Sequence, residues 1–257
     1  MENVDNPLSP TNGSVPEQDD TRSEPASSKP AGVVGDLAET DPFTPVMRHI
    51  TLISAGMSES SQSTALGSDL LNASESALAE YGVVPEHHIF YLRDLANDIL
   101  NATVADHKTP ALEEAINQVI AADAVITVTP TYKGSYSGLF KMFWDLIEDG
   151  SVTNIPVLLG ATGGTPRHSL MIDYVMRPLF SYLRMDVLPH AVFAATDDWG
   201  EVPEATASSR DTPIAERVAR AGSELATVLM RRTARDRDAA LHEDMKIIPF
   251  EELLHTI

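Results

Sequence analysis

Ala124-Val125-Ile126-Thr127-Val128-Thr129, followed at once by Pro130-Thr131-Tyr132-Lys133-Gly134-Ser135-Tyr136-Ser137-Gly138-Leu139-Phe140-Lys141, decides the fold. The first six residues are an apolar run of the kind buried in a parallel sheet. A strand therefore feeds a loop, and the loop enters a helix. Pro130 fixes its own φ and removes a donor, while an aromatic ring and small residues let backbone approach a flat ligand closely. In open α/β sheets, ligands sit beyond the carboxyl ends of the strands, where the strand order reverses, so the loop is well placed for one. Taken alone, the segment reads equally as a plain strand-to-helix connection punctuated by Pro and Gly.

The same alternation extends outward in both directions. His49-Ile50-Thr51-Leu52-Ile53-Ser54-Ala55-Gly56 reads as a first strand and its exit, with order beginning at Arg48. Residues 63–81 carry Leu66, Leu70, Leu71, Ala77 and Leu78 at helical spacing, and Gly82 ends that helix. His88-Ile89-Phe90-Tyr91-Leu92 is a second strand. Residues 110–122 form a helix with Pro near its first turn and Leu112, Ala115, Ile116 and Val119 on one face. Downstream the pattern predicts helix 137–148, strand 155–160, helix 168–184, strand 187–195 and helix 212–231. Such a βα series implies an α/β protein, a three-layer doubly wound parallel sheet with helices on both faces. Five strands favour the flavodoxin-like order 2-1-3-4-5 over a six-stranded dinucleotide fold.

Composition bounds the chemistry. The 257 residues are 43% hydrophobic, enough for one domain with a sizeable core. There is no cysteine, which rules out disulfides, thiolate metal sites and cysteine nucleophiles, so redox chemistry requires a bound cofactor. A formal charge of -20 argues against nucleic-acid or anionic-membrane surfaces as partners. No apolar run approaches the roughly 20 residues of a bilayer span, and a cytoplasmic location is expected. Residues 1–46, rich in Pro, Ser, Glu and Asp, are expected to be a disordered acidic tail ahead of a domain at 47–232. A C-terminal extension, 233–257, carries Ile247, Ile248, Phe250, Leu253 and Leu254, which suit packing on the domain or on a second subunit.

Two further loops flank the predicted ligand edge. After the first strand comes Ser58-Glu59-Ser60-Ser61-Gln62-Ser63-Thr64, a set of hydroxyls just before a helix. A helix N-terminus offers unpaired N–H groups and partial positive charge, and hydroxyls add donors, so a monoester phosphate fits provided Glu59 points outward. N-capping explains one such hydroxyl but not five. The segment is neither a P-loop nor a G-x-G-x-x-G fingerprint. After the fourth strand, Gly160-Ala161-Thr162-Gly163-Gly164-Thr165-Pro166-Arg167-His168-Ser169 offers a Gly-Gly turn with access to backbone conformations closed to other residues.

Together, the hydroxyl-rich loop, the Pro130 to Lys141 segment, and Ala161-Thr162-Gly163-Gly164 with His168 resemble the three FMN-binding loops of NAD(P)H-dependent FMN reductases. The nearest branch resembles the flavin reductases that supply reduced FMN to two-component alkanesulfonate and luciferase-like monooxygenases. The resemblance runs from about His49 to Gly200. It implies Ser58, Ser60, Ser63 and Thr64 at the phosphate, and Pro130, Thr131, Tyr132, Lys133 and Gly134 bordering the isoalloxazine. It places Thr162, Gly163 and Gly164 at the pyrimidine edge. It also implies FMN as cofactor, NADPH or NADH as co-substrate, a monooxygenase as partner, and a homodimer or homotetramer. Where relatives carry a basic residue near the phosphate hydroxyls, Glu59 and Gln62 stand here. Catalysis of this kind needs no side-chain acid or base, because the protein's work is to stack the nicotinamide on the flavin.

Several residues have two readings. His168 is either a helper beside the flavin or a structural histidine, and Lys133 either meets a phosphate or flavin carbonyl or is solvated. Arg93-Asp94 is either close to the site or a turn ion pair, and Trp199 either covers the flavin or packs the last helix. Tyr136 lies where some relatives form a π-bulge. Met142, Phe143, Trp144 and Ile147 exceed one helix face, suggesting a subunit contact. The competing functions are a tightly FMN-bound quinone, azo or metal reductase, a flavodoxin-type electron carrier, and a receiver module of like topology. The receiver lacks its acidic cluster, since Ser54-Ala55-Gly56 stands there.

Overall fold

The computed structural model describes residues 47–200 and 212–242. The expectations for residues 1–46 and for Ile247, Ile248, Phe250, Leu253 and Leu254 fall outside them. The strands are β1 (Met47–Ser54), β2 (Val84–Tyr91), β3 (Ala124–Pro130), β4 (Pro156–Gly163), β5 (Asp186–Val187) and β6 (Val192–Ala195). All pair in parallel in the order β2-β1-β3-β4-β5, with β6 also on β4. The flavodoxin-like order 2-1-3-4-5 is therefore present. The fifth position differs from the single strand predicted at 187–195. Val157 pairs with Val187 and Gly160 with Val192, so three steps along β4 face five along its partner. The surplus falls at Leu188 to Ala191, where Pro189 has no N–H to give the ladder.

Helices α1 (Gln62–Glu80), α2 (Ala96–Ala105), α3 (Pro110–Ile120), α4 (Gly138–Trp144), α5 (Arg177–Tyr182), α6 (Ile214–Met230) and α7 (Arg237–His242) cover both faces. On one side, Leu66, Leu70, Leu71 and Leu78 of α1 and Val218, Leu225 and Leu229 of α6 bury against Ile50, Leu52, Ile126, Val128 and Leu158. Each such side chain contributes about 1.5–3 kcal/mol on leaving water. The two helices meet closely, since a Cβ on Gly222 of α6 would lie 2.7 Å from the Ala73 carbonyl carbon of α1. The other side holds Phe140, Phe143, Trp144 and Phe180 as a packed aromatic group with α3 and β3.

Three helical expectations are corrected. Helix α2 lies where the sequence pattern predicts no helix, because its Asn, Thr and Val residues are poor helix formers and its N-cap Leu95 makes no side-chain bond. Buried Leu95, Ile99 and Ala102 hold it instead. Helix α4 stops at Trp144 rather than 148, and the chain continues in tighter turns, with Leu146 N–H donating to Phe143 O and Ile147 N–H to Trp144 O. The single helix expected at 168–184 is a 3₁₀ turn (Pro166–His168), a π-helical turn (Ile172–Met176) and then α5. Arg177 N–H reaches back to Ile172 O, and the next residue, Pro178, has no N–H, so the ladder widens where it loses a donor.

The start of the chain's last segment is pinned to the domain. Asp123, almost fully buried, accepts from Arg48 Nη1 (3.3 Å), His49 N (2.8 Å) and Arg235 N (2.7 Å). Arg237 Nη2 donates to Gln118 Oε1 of α3 at 2.7 Å. Among the described residues, no helix is long and apolar enough to cross a membrane.

Candidate functional site

Because β1, β3 and β4 are adjacent and parallel, their exit loops emerge side by side at the carboxyl edge. The first loop leaves β1 with Ala55 N–H donating to Val128 O at 2.8 Å. Ser61 caps α1, its Oγ accepting from Ser63 N–H at 3.2 Å. A Cβ on Gly56 would lie 2.5 Å from Ser61 Oγ and 2.6 Å from Thr64 Oγ1. The bare Gly56 backbone thus allows both hydroxyls to close over the helix mouth, with Ser54 Oγ 3.3 Å from Thr64 Oγ1.

This revises the hydroxyl set. Ser58, Glu59 and Ser60 are exposed on the rim, and Thr64 stands at the mouth. Ser63 is buried instead, with its Oγ 2.6 Å from Thr162 Oγ1, so it joins the first loop to the third. Ser61 and Gly56 take up the mouth and were not singled out from the sequence. A glycine two residues past a strand, and a serine two residues ahead of the first buried helical residue, were the available signals.

The second loop is a tight turn. Tyr132 N–H donates to Ser135 O at 2.8 Å and Ser135 N–H to Tyr132 O at 3.1 Å, with Lys133 at φ 52° and Gly134 at φ 81°. Positive φ at both central residues is the type I′ geometry. The base of the turn is held by Thr129 Oγ1, which accepts from Ser137 N–H (3.1 Å), and Ser137 in turn caps α4. Tyr132, Lys133 and Gly134 stand exposed, and Pro130 is buried. Tyr136 precedes α4 and its ring lies tilted against Phe140 at 5.5 Å; the π-helical turn of this segment of the chain is at 172–176 and not at Tyr136.

In the third loop, β4 runs on through Gly163, which pairs with Ala195. Neither Gly163 nor Gly164 has positive φ, against expectation; among the described glycines only Gly82, Gly134 and Gly150 do. Gly163 is required for space, since a Cβ there would fall 2.8 Å from Phe193 Cζ and 3.4 Å from Thr131 Oγ1. Thr131 N–H donates to Thr162 O at 2.7 Å, tying the second loop to the third. The three loops are therefore knotted together at Thr162.

Outlying candidates divide. His168 is exposed at the end of the 3₁₀ turn after the third loop. Arg93 pairs with Asp94 (3.2 Å) and lies over the Tyr91 ring at 5.1 Å. Trp199, half-buried, packs against the α1–α6 side of the core. Phe143, Trp144 and Ile147 are absorbed by the domain's own core and are not left for a subunit contact.

Two observations fit a flat, phosphate-bearing ligand. The helix mouth gathers two hydroxyls over bare backbone. Beside it, Thr131 Oγ1 is buried with no hydrogen-bond partner. The family model of NADPH-dependent FMN reductases matches residues 49–200, the span that carries all three loops. The chain belongs to this family. It is 34% identical over 171 residues to the NADH-dependent FMN reductase SfnE of Pseudomonas putida, covering 66% of this chain and 89% of that protein. It is 38% identical over 128 residues to an FMN reductase (NADPH) of Pseudomonas aeruginosa, covering 49% and 68%. Among solved structures, an oxidoreductase from Corynebacterium diphtheriae aligns with a TM-score of 0.67 and 36% identity, over 73% of this chain and 99% of that one. The chain is an oxidoreductase of the NAD(P)H-dependent FMN reductase type, with FMN and a nicotinamide dinucleotide as its reactants.

Proposed function

We propose that this reductase seats FMN across the three loops and supplies reduced flavin to a partner monooxygenase. Gly56, Ser61 and Thr64 hold the phosphate, with Ser58 and Ser60 on the rim. Pro130, Thr131, Tyr132, Lys133 and Gly134 border the ring, and Thr162, Gly163 and Gly164 border its pyrimidine edge, while Ser63 acts through Thr162. When bound, the flavin supplies hydride acceptance and its onward transfer. The residues bind and orient: the type I′ turn presents its backbone to the ring, and the exposed Tyr132 and Lys133 receive the nicotinamide dinucleotide. The observation carrying this reading is the knot at Thr162, which holds three loops from non-consecutive segments in one place.

Release of the flavin to a partner is supported by the openness of the rim, where Ser58, Ser60, Lys133, Gly134 and Gly164 are all exposed. The test follows NADPH and NADH consumption by purified protein with and without added FMN, together with the flavin absorbance of the protein as isolated. Turnover that depends on added FMN supports the reading. Full turnover without it, on a protein that stays yellow through gel filtration, favours a prosthetic-flavin reductase of quinones or azo dyes.

The proposal extends to organisation. Residues 1–46 are an acidic tail dispensable for catalysis, 47–232 the reductase domain, and 233–257 an extension, all in a cytoplasmic homodimer or homotetramer. The subunit contact lies on the 170–182 segment, where Leu170, Tyr174 and Tyr182 are 58%, 76% and 74% exposed. Beside it, a cavity of about 340 Å³ is lined by Tyr136, Trp144, Leu179 and Tyr182. Light scattering showing a monomer at micromolar concentration would refute this part.

A further inference from the structure

At the opposite, amino-terminal edge of the sheet, three side chains outside the flavin site converge. His49 is the third residue of β1 and pairs in register with Glu86 of β2, while His88, two residues further on, shares the Glu86 face. His49 Nδ1 lies 3.5 Å from Glu86 Oε2, and His88 Nε2 lies 3.6 Å from Glu86 Oε1. One ligating atom from each of the three lies within 4.8 Å of the others. Both distances exceed a good hydrogen bond, and both ring nitrogens are buried atoms without a hydrogen-bond partner.

We infer that His49, Glu86 and His88 form a binding site for a divalent transition cation of the zinc type. Two imidazole nitrogens and a carboxylate suit such an ion, which binds them at about 2.0–2.2 Å. A tetrahedron with that radius has edges of about 3.4 Å, so the separation of His49 Nδ1 from Glu86 Oε2 matches one of its edges, while His88 Nε2 approaches the other oxygen of the same carboxylate and closes onto the ion by a small side-chain rotation. Three protein ligands leave a fourth position to water. The ligands come from adjacent strands, so the ion would clasp β2, an edge strand of the sheet, to β1.

The surroundings both help and oppose. Burial, and after it the Arg237 guanidinium, lowers the His49 imidazole below its ordinary value, while Glu86 and Asp123 act the other way. The neutral ring is the form that ligates. Arg237 is a like charge for the incoming ion, but its Nη2 is drawn to Gln118 Oε1. Asp123 is occupied by Arg48, His49 N–H and Arg235 N–H, so it is the counter-charge behind His49 and not a fourth ligand. The site is roughly 16 Å or more from the flavin loops, since five steps of extended chain separate His49 from Ser54, where β1 gives way to the first loop.

The test is calorimetric titration of the chelator-treated, flavin-free, full-length protein with Zn²⁺, repeated with Co²⁺ to read its visible ligand-field bands. One equivalent should bind with micromolar affinity. His88→Gln and Glu86→Gln should each weaken it by more than about 100-fold. His190→Gln, which removes a surface histidine paired with Glu224 at 3.0 Å, should leave it unchanged. Thermal melts with and without Zn²⁺ give a second reading, with a metal-dependent rise in the parent protein that disappears in His88→Gln. Absence of saturable binding overturns the assignment, as does binding that survives both substitutions. FMN affinity is read separately and should not respond to Zn²⁺.

Discussion

Replacing Gly56 with Ala tests the phosphate mouth more sharply than removing any one hydroxyl. The new Cβ would sit 2.5 Å from Ser61 Oγ and 2.6 Å from Thr64 Oγ1, where ordinary contact begins near 3.4 Å. The two hydroxyls must therefore retreat by 0.9 Å and 0.8 Å, the differences between those figures. Gly56 does not have positive φ, so its own backbone accepts alanine, but Ser61 Cβ at 2.8 Å must move as well, and the cost in stability should be roughly 1–3 kcal/mol of overpacking. A hydrogen bond to a charged acceptor is worth about 1.5–3 kcal/mol, so losing one raises the dissociation constant of FMN by about 10- to 150-fold. Riboflavin, which has no phosphate, should bind the variant as it binds the parent. The assay is quenching of flavin fluorescence, titrated with FMN and with riboflavin against both proteins. Equal affinity of the parent for the two flavins, or equal losses for both in Gly56→Ala, would show that the phosphate is not at this helix.

In the second loop, Gly134→Val forces φ 81° on a branched residue in open space, so only backbone strain acts. It should cost about 1–2 kcal/mol and lower kcat/KM with FMN, whereas Lys133→Asn should keep the turn and Tm but raise KM for the nicotinamide dinucleotide. Gly222→Ala should lower stability by about 1–3 kcal/mol, because its Cβ meets Ala73 backbone; an unchanged Tm would show that α1 and α6 can slide apart freely. Partial burial raises the Asp69 carboxyl above 3.8, so its charged form opposes folding at neutral pH and the penalty disappears as pH falls below 3.8. Asp69→Asn should thus melt slightly higher than the parent at neutral pH and lose that advantage in acid, as thermal melts at the two pH values would show. Removing residues 1–45 should leave NADPH oxidation and Tm nearly unchanged, and aggregation of the shortened protein would place the domain boundary earlier.

The helices with strong local signals were legible in the sequence. Residues 62–80 and 110–120 announce themselves through apolar spacing, and the second also through Pro110 in its first turn, each a local matter of periodicity and backbone geometry, while the Ser61 and Thr109 caps came only with the structure. Helix α2 was not legible, since its residues disfavour helix and only the core contacts of Ile99 and Ala102 hold it. Residues 187–195 read as one strand because Pro189 says only that a donor is missing, whereas the register against β4 decides how the surplus is absorbed.

The sequence by itself determined the βα alternation, the strand order it implies and the three loops at the sheet's carboxyl edge. These follow from residue periodicity and from connection rules that depend only on chain order. Tertiary structure alone decided which atoms of those loops are left open at that edge and which are buried. Burial turned Ser63 inward onto Thr162 and left the helix mouth to Ser61 and Thr64. Positive φ fell on Lys133 and Gly134 and not on Gly163, which is glycine because the Phe193 ring occupies the space of a side chain. Hydroxyls and glycines look alike along a chain; their roles are assigned by what packs against them, and those neighbours are distant in sequence.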